Sequence, residues 1–391
     1  MAKSTTQLPL LTEPFWPANG GIGNQNLLDR PSPPASRVDW RVPFKDQVTA
    51  PVVGGDGVIY VGGYDKNLYA FSPSGTLLMK DKLIGPVMTD LAIGASGLVF
   101  AAPHHRPPSG LETMLCAVDP SSAKKGRVMW SATFPGAVPG PLLPDREGGV
   151  VAVSSRAVVY SYDAEGRERF ATKVGESDPS GATILTDGTI VAVSRGPDRG
   201  GKAGFLVTGL TPSGAVRFEN PIPQTLSRAT ALADGGFWLF CSDGARLRFD
   251  AEGKLLASLP SLGERWVQST SASVLPDGSL YAANGDRSAG ALVVLDATGA
   301  VMGRVERGDG VPAAPLGLAD GAALISVLDG TIVLVSATQA IVWSVAVGAP
   351  RNEYGGSIPV VPRPEGLVTR VDAAGASANA ERQACELVGL V

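Results

Sequence analysis

Between Thr49 and Lys80 the chain reads TAPVVGGDGVIYVGGYDKNLYAFSPSGTLLMK, a series of short apolar runs cut by glycine, aspartate and serine. The run Val58, Ile59, Tyr60, Val61 predicts one strand and Leu68, Tyr69, Ala70, Phe71 a second, with a third after Ser74-Gly75. Branched and aromatic residues suit a pleated sheet, and the glycine pairs between them supply the reversals.

The same pattern returns down the chain. Taking the glycine after the first strand of each unit as a ruler gives Gly57, Gly97, Gly149, Gly188, Gly235, Gly278, Gly321 and Gly366. The spacing is about 45 residues, the length of one four-stranded blade. Asp56, Asp187, Asp234, Asp277 and Asp320 each precede that glycine. A second ruler lies four residues past the turn between the third and fourth strands, at Met79, Trp130, Phe170, Phe218, Ala257, Gly303 and Trp343. These repeats predict an all-β fold, an eight-bladed β-propeller of four-stranded antiparallel blades, with seven blades as the alternative.

The two ends of the pattern complement each other. Residues 1–36 are rich in Pro, Gly and Asn and are read as an irregular N-terminal arm lying over the body, and residues 37–391 as one propeller domain. Val38–Phe44 reads as a fourth strand with no three strands before it, while the last unit stops after three. The N-terminal strand should therefore complete blade 8 and close the ring, leaving no open edge between first and last blade.

At 391 residues the chain would ordinarily divide into two or three domains, but a closed repeat ring overrides that expectation. A net charge of −4 argues against a nucleic-acid partner. Cys116, Cys241 and Cys385 form no CxxC motif and sit in apolar runs, so buried thiols are expected. No run approaches the roughly 18 apolar residues of a membrane span. The reading is a cytoplasmic monomer with no membrane role, or a periplasmic one if a leader is missing from the sequence.

The stretch WPANGGIGNQN…VDWRVPF followed by APVVGGDGVIYVGGYDKNLYAFSPSG resembles the PQQ-like repeat propellers, over roughly residues 14–391. That family includes quinoprotein dehydrogenases and the outer-membrane assembly scaffold BamB. A dehydrogenase would imply pyrroloquinoline quinone, calcium held by carboxylate and amide oxygens, an aspartate base, aromatic walls and often a vicinal disulfide. The chain has no adjacent cysteines and no D-x-D-x-D-G calcium loop, and Trp40, Trp130 and Trp343 fall on the outer-strand ruler. Neither PQQ nor calcium is expected, and no other cofactor.

Function is sought where loops are long. The connections between second and third strands are tight in blades 1, 3, 5 and 7 and long in blades 2, 4, 6 and 8, where APHHRPPSGLET, SRGPDRGGKAG, NGDRSAG and DAAGASANAERQ lie. Long loops on one face of a rigid ring are where binding concentrates. Arg228, Arg265, Trp266, Gln268, Asp309, Arg351, Glu353 and Tyr354 start innermost strands on that face, and His104, His105 and Arg106 sit in its first long loop. Guanidinium forks suit carboxylates, so a peptide, partner protein or small acidic ligand is the expected occupant. No metal is assigned to the adjacent histidines, because no ligand spacing surrounds them. The chain reads as a non-catalytic recognition scaffold, of a kind that assists a pathway's enzymes. The alternative is an enzyme with its site in the central channel, either a quinone-dependent oxidoreductase or a cofactor-free lyase or cyclase.

Overall fold

A computed structural model describes residues 27–28, 37–108, 110–121, 127–197, 204–222, 228–241, 244–260, 272–285, 290–307, 315–327, 329–348, 360–363, 366–372 and 384–391. Among these the fold is all-β, with eight antiparallel sheets that each contribute four strands to one blade of a ring. In blade 1 the strands, called A to D from the axis outward, are Val52–Val53, Ile59–Gly62, Asn67–Phe71 and Leu77–Lys82. Eight blades, not seven, are present.

The aspartate-glycine signature has a local cause. In seven blades the N–H of the turn glycine donates three residues back, as from Gly57 to the Gly54 carbonyl and from Gly321 to that of Leu318. The glycine there takes φ near +80°, from 78° at Gly321 to 89° at Gly235, a region that a Cβ disfavours. The preceding aspartate accepts the N–H two residues on, as Asp56 does from Val58, Asp187 from Thr189 and Asp277 from Ser279. Two positions of the ruler are corrected. In blade 3 the turn glycine is Gly148, because Asp145 caps both Glu147 and Gly149 and shifts the turn back one residue. In blade 8 Gly366 begins strand B, paired with Arg363, and is not the turn residue itself.

Each blade is apolar on both faces, so alternate residues of a strand enter different layers. Ile59 and Val61 pack with residues of blades 7 and 8, while Tyr60 packs with blade 2. This is why the inner strands read as continuous apolar runs. The second ruler marks the outer part of these layers. Trp40, Trp130, Phe170 and Phe218 each cover the turn glycine of the next blade, at Gly75, Gly166, Gly214 and Gly253. The two tryptophans also donate Nε1–H to the Pro73 and Ala164 carbonyls, at 3.0 and 2.9 Å. At Ala257 the ruler lacks a large side chain. Trp238 from strand B covers Gly299 instead, and Arg246 donates to the Gly299 carbonyl at 2.5 Å. Over Gly303 the space is filled by Gln339, which itself holds the positive φ (66°) taken by glycine in other blades.

Near the axis, polar side chains stitch neighbouring blades. Asp90 accepts from the Ala50 N–H (3.1 Å), and Thr89 donates to the Val138 carbonyl (2.8 Å). Thr183 donates to Ala229 (2.6 Å), Thr230 accepts from the Ala272 N–H (3.1 Å) and Ser273 from that of Gly317 (2.9 Å).

The ring closes as the strand count requires. Val38–Phe44 is strand D of blade 8, antiparallel to Cys385–Leu390, with Val42 opposite Leu387 and Phe44 opposite Cys385. Arg41 ties this strand to blade 7 through the Val347 carbonyl (2.9 Å) and pairs with Glu386 (2.7 Å). Within the arm, Leu27–Leu28 forms a short strand parallel to strand A of blade 7, on its axis-facing edge. All three cysteines are buried thiols outside any disulfide, and burial pushes Cys116 up to about 12.

Trp40 joins closing strand to first blade, so Trp40→Ala should cost about 3 kcal/mol of unfolding free energy. Trp40→Phe, which keeps the ring but not the Nε1–H, should cost about 1 kcal/mol. Urea denaturation of both variants checks this, and equal small losses would show that the seam does not depend on the indole.

Candidate functional site

The alternation of short and long B–C connections is built into the strands. In blades 1, 3, 5 and 7 the last B–C pairs are Gly62–Leu68, Ser154–Val158, Phe240–Arg246 and Ser326–Ile332. In the even blades pairing runs further, to His105–Glu112 in blade 2, Arg195–Phe205 in blade 4, Gly285–Gly290 in blade 6 and Asp372–Cys385 in blade 8. Strand A of blade 4 extends as well, from Ser177, through Asp178 at φ 47°. Asp178 forms a 3.8 Å ion pair with Arg195 there. Longer hairpins on alternate blades therefore frame the mouth of the ring.

Inside this frame two charged residues, Asp90 and Arg228, come from one column of the repeat. Asp90 and Arg228 both stand seven residues before their turn glycines, Gly97 and Gly235; the same column holds Ala50, Pro141 and Gly181. Arg228 is 8% exposed, and its stem lies across Gly181, where a Cβ would approach Cδ to 2.7 Å. Desolvation lowers the guanidinium to about 10, and the Asp90 carboxylate opposes that fall. Tyr64, in the B–C turn of blade 1, has its phenol raised by burial, while the Arg370 charge lowers it and Asp90 raises it. Arg370 in turn donates to the Val48 carbonyl at 2.8 Å. The Asp90 charge thus acts on both Arg228 and Tyr64, and the Arg370 charge on Tyr64.

Of the residues singled out from sequence, Arg228 lies in this column. Arg265, Trp266, Gln268, Asp309, Arg351, Glu353 and Tyr354 lie outside the described residues. His104 and His105 are not a loop pair: they form a short strand against Thr113 and Glu112. Successive side chains of a strand point to opposite faces, so the two imidazoles cannot converge on one ion. His105 and Arg106 are exposed. His104 is half-buried, its Nε2 has no hydrogen-bond partner, and desolvation lowers its pKa below the usual 6.5. Sequence reasoning missed Asp90 and Tyr64; aligning each residue to its turn glycine places Asp90 in the column of Arg228.

Among the described residues this lining does not suit a metal-supported quinone. Asp90 already accepts the Ala50 N–H and feels the Arg228 charge, Asp178 pairs with Arg195, and Asp65 accepts from Asn67, so these carboxylates are already engaged. No group of three or more His, Cys, Asp or Glu that could hold a metal occurs among the described residues.

Burial of neutral His104 has a pH signature. Its folded pKa lies below the unfolded value, so between the two the unfolded chain binds more protons and stability rises with pH. The thermal midpoint should fall as pH drops from about 6.5, and His104→Gln should flatten the curve between pH 7 and 5. Carboxylates lowered by their partners, such as Asp187 and Asp277, act below their ordinary 3.8 and stay separable. An unchanged slope in the variant would reject this origin.

No protein-family model matches the chain, and comparison with curated protein sequences gives no match. Solved structures do match. A europium-containing methanol dehydrogenase aligns over 97% of this chain and 98% of its own, with TM-score 0.73 and 13% identity. A quinohemoprotein alcohol dehydrogenase from Comamonas testosteroni aligns over 97% and 81%, with TM-score 0.69 and 14% identity. BamB from Moraxella catarrhalis aligns over 90% and 97%, with TM-score 0.58 and 11% identity. At these identities the likeness is one of fold: the chain shares the β-propeller architecture of these proteins.

Proposed function

We propose that the protein is a non-catalytic recognition scaffold whose long-loop mouth binds an acidic segment of a peptide or partner protein. One observation carries this reading: at the mouth Arg228, 8% exposed with its stem across Gly181, stands in the repeat column that also holds Asp90. A guanidinium already stripped of water gives up little hydration on meeting a carboxylate, and its fork fixes the geometry of the pair. The rigid ring supports this role, since a preformed site spends little on ordering when it binds. The strand that closes blade 8 supports a monomer, because no partner is required to complete the ring. Three buried thiols outside any disulfide are consistent with a reducing compartment such as the cytoplasm.

The test is titration with Asp/Glu-rich and charge-neutral peptides, alongside native mass spectrometry with added pyrroloquinoline quinone and calcium. Acidic peptides should bind preferentially. Arg228→Gln should weaken them by about 2 kcal/mol, roughly thirtyfold in Kd, and Arg370→Gln should act in the same direction. A mass gain of one quinone plus one metal, with no peptide preference, would replace this reading by the dehydrogenase one.

A further inference from the structure

The axis-facing edge of blade 7 differs from its neighbours. Five residues before the turn glycine, blades 4, 5 and 6 carry Thr183, Thr230 and Ser273, the hydroxyls that link each blade to the next. The equivalent residue of blade 7, before Gly321, is Leu316, apolar like Val52, Ala92 and Leu143 of blades 1 to 3, and it has no hydroxyl to offer blade 8. At this break the chain's own arm arrives. Leu27–Leu28 runs parallel to Leu316–Leu318, with Leu27 opposite Gly317 and Leu28 opposite Leu318. Among the described residues this is the one blade whose innermost strand carries a fifth strand on its axis side.

An innermost strand turns toward the channel the N–H and C=O groups its blade does not use. Side chains such as Ser273 take some of them, and a backbone that arrives extended can take others. Strand addition supplies affinity through the main chain and leaves selectivity to neighbouring side chains. We infer that the inner edge of blade 7 is a strand-accepting site for an extended peptide, and that Leu27–Leu28 fills it in cis as a stand-in for the partner's segment. This rests on the recognition reading above and gives it a binding mode. The partner's peptide would add as a parallel strand along Leu316–Leu318, inside the same ring whose mouth carries the buried Arg228. The arm's own sequence, Asn26-Leu27-Leu28-Asp29, supplies a template of that kind, an apolar pair followed by a carboxylate.

Occupancy in cis lowers apparent affinity for a peptide in trans by the fraction of time the edge is open. The test uses the full chain and its Leu27→Pro/Leu28→Pro variant, because proline removes the N–H groups that a strand pair needs. The probe is a fluorescein-labelled synthetic peptide of residues 22–33, followed by fluorescence polarisation. The variant should bind it at least about tenfold more tightly than the unaltered chain, equivalent to about 1.4 kcal/mol. A scrambled peptide should bind neither. Hydrogen exchange gives an independent readout. The Gly317 amide, which turns to this edge and there donates to Ser273, should exchange faster in the variant and slow again with peptide present, while Leu318, bonded to Ala322 within the blade, should not change. Equal affinity in both proteins, or unchanged exchange at Gly317, overturns the inference. Acidic peptides that still depend on Arg228 under those outcomes would leave the recognition reading standing without this mode.

Discussion

Every blade here is a sheet with two apolar faces and no means of covering either alone. That constraint governs the molecule. Residues such as Ile59 and Tyr60, adjacent in one strand, are buried against different neighbours, so the first and last blades must meet for the ring to lose its exposed layers. Val38–Phe44 makes that meeting covalent, since it belongs to blade 8 yet runs directly into blade 1. At this seam Trp40 reaches the Pro73 carbonyl, Arg370 the Val48 carbonyl and the Cys385 thiol the Asp46 carbonyl. Unlike a linear repeat array, whose ends can fray, a ring closed in this way makes separating any two blades cost a second interface as well.

Closure also decides where chemistry can vary. The turn residues and outer aromatics are committed to packing, because each reads the backbone of the next blade. The column seven residues before the turn glycine is less constrained, and it holds alanine, aspartate, proline, glycine and arginine in successive blades. Arg228 occupies it at a cost in desolvation that Gly181 makes sterically feasible. A cation buried to this depth and reached by the Asp90 charge stands apart from exposed loop charges such as Arg106, where solvent screens most of the interaction.

The parts of the fold legible in the sequence are those whose cause is local. Asp56-Gly57 and its repeats are readable because an aspartate caps its own turn and glycine alone tolerates the φ required. The outer ruler is only partly legible. At Ala257 and Gly303 the covering groups come from Trp238, Arg246 and Gln339, which stand elsewhere in the repeat, and no spacing rule reveals such compensation. The mouth is less legible still. Asp90 and Arg228 lie far apart in sequence and meet electrostatically only through the curvature of the ring. The adjacent histidines mislead in the opposite sense, since neighbours in a strand diverge.

The same division accounts for a fold kept at 11–14% identity to the solved propellers. What the ring requires is a positive-φ residue at each turn, a cap for it and enough volume between blades, and each requirement admits substitutes. Gln339 takes a glycine's conformation, and Trp238 takes over from a ruler position held by alanine. Leu316 ends the run of linking hydroxyls in blades 4 to 6, and there the edge of blade 7 is met by backbone from the arm. Blades 1 to 3, apolar in the same column, carry no such strand among the described residues. A propeller edge that accepts its own chain in this manner is accessible to an extended segment by geometry, and which segment is accepted is left to the few side chains that the ring does not need for itself.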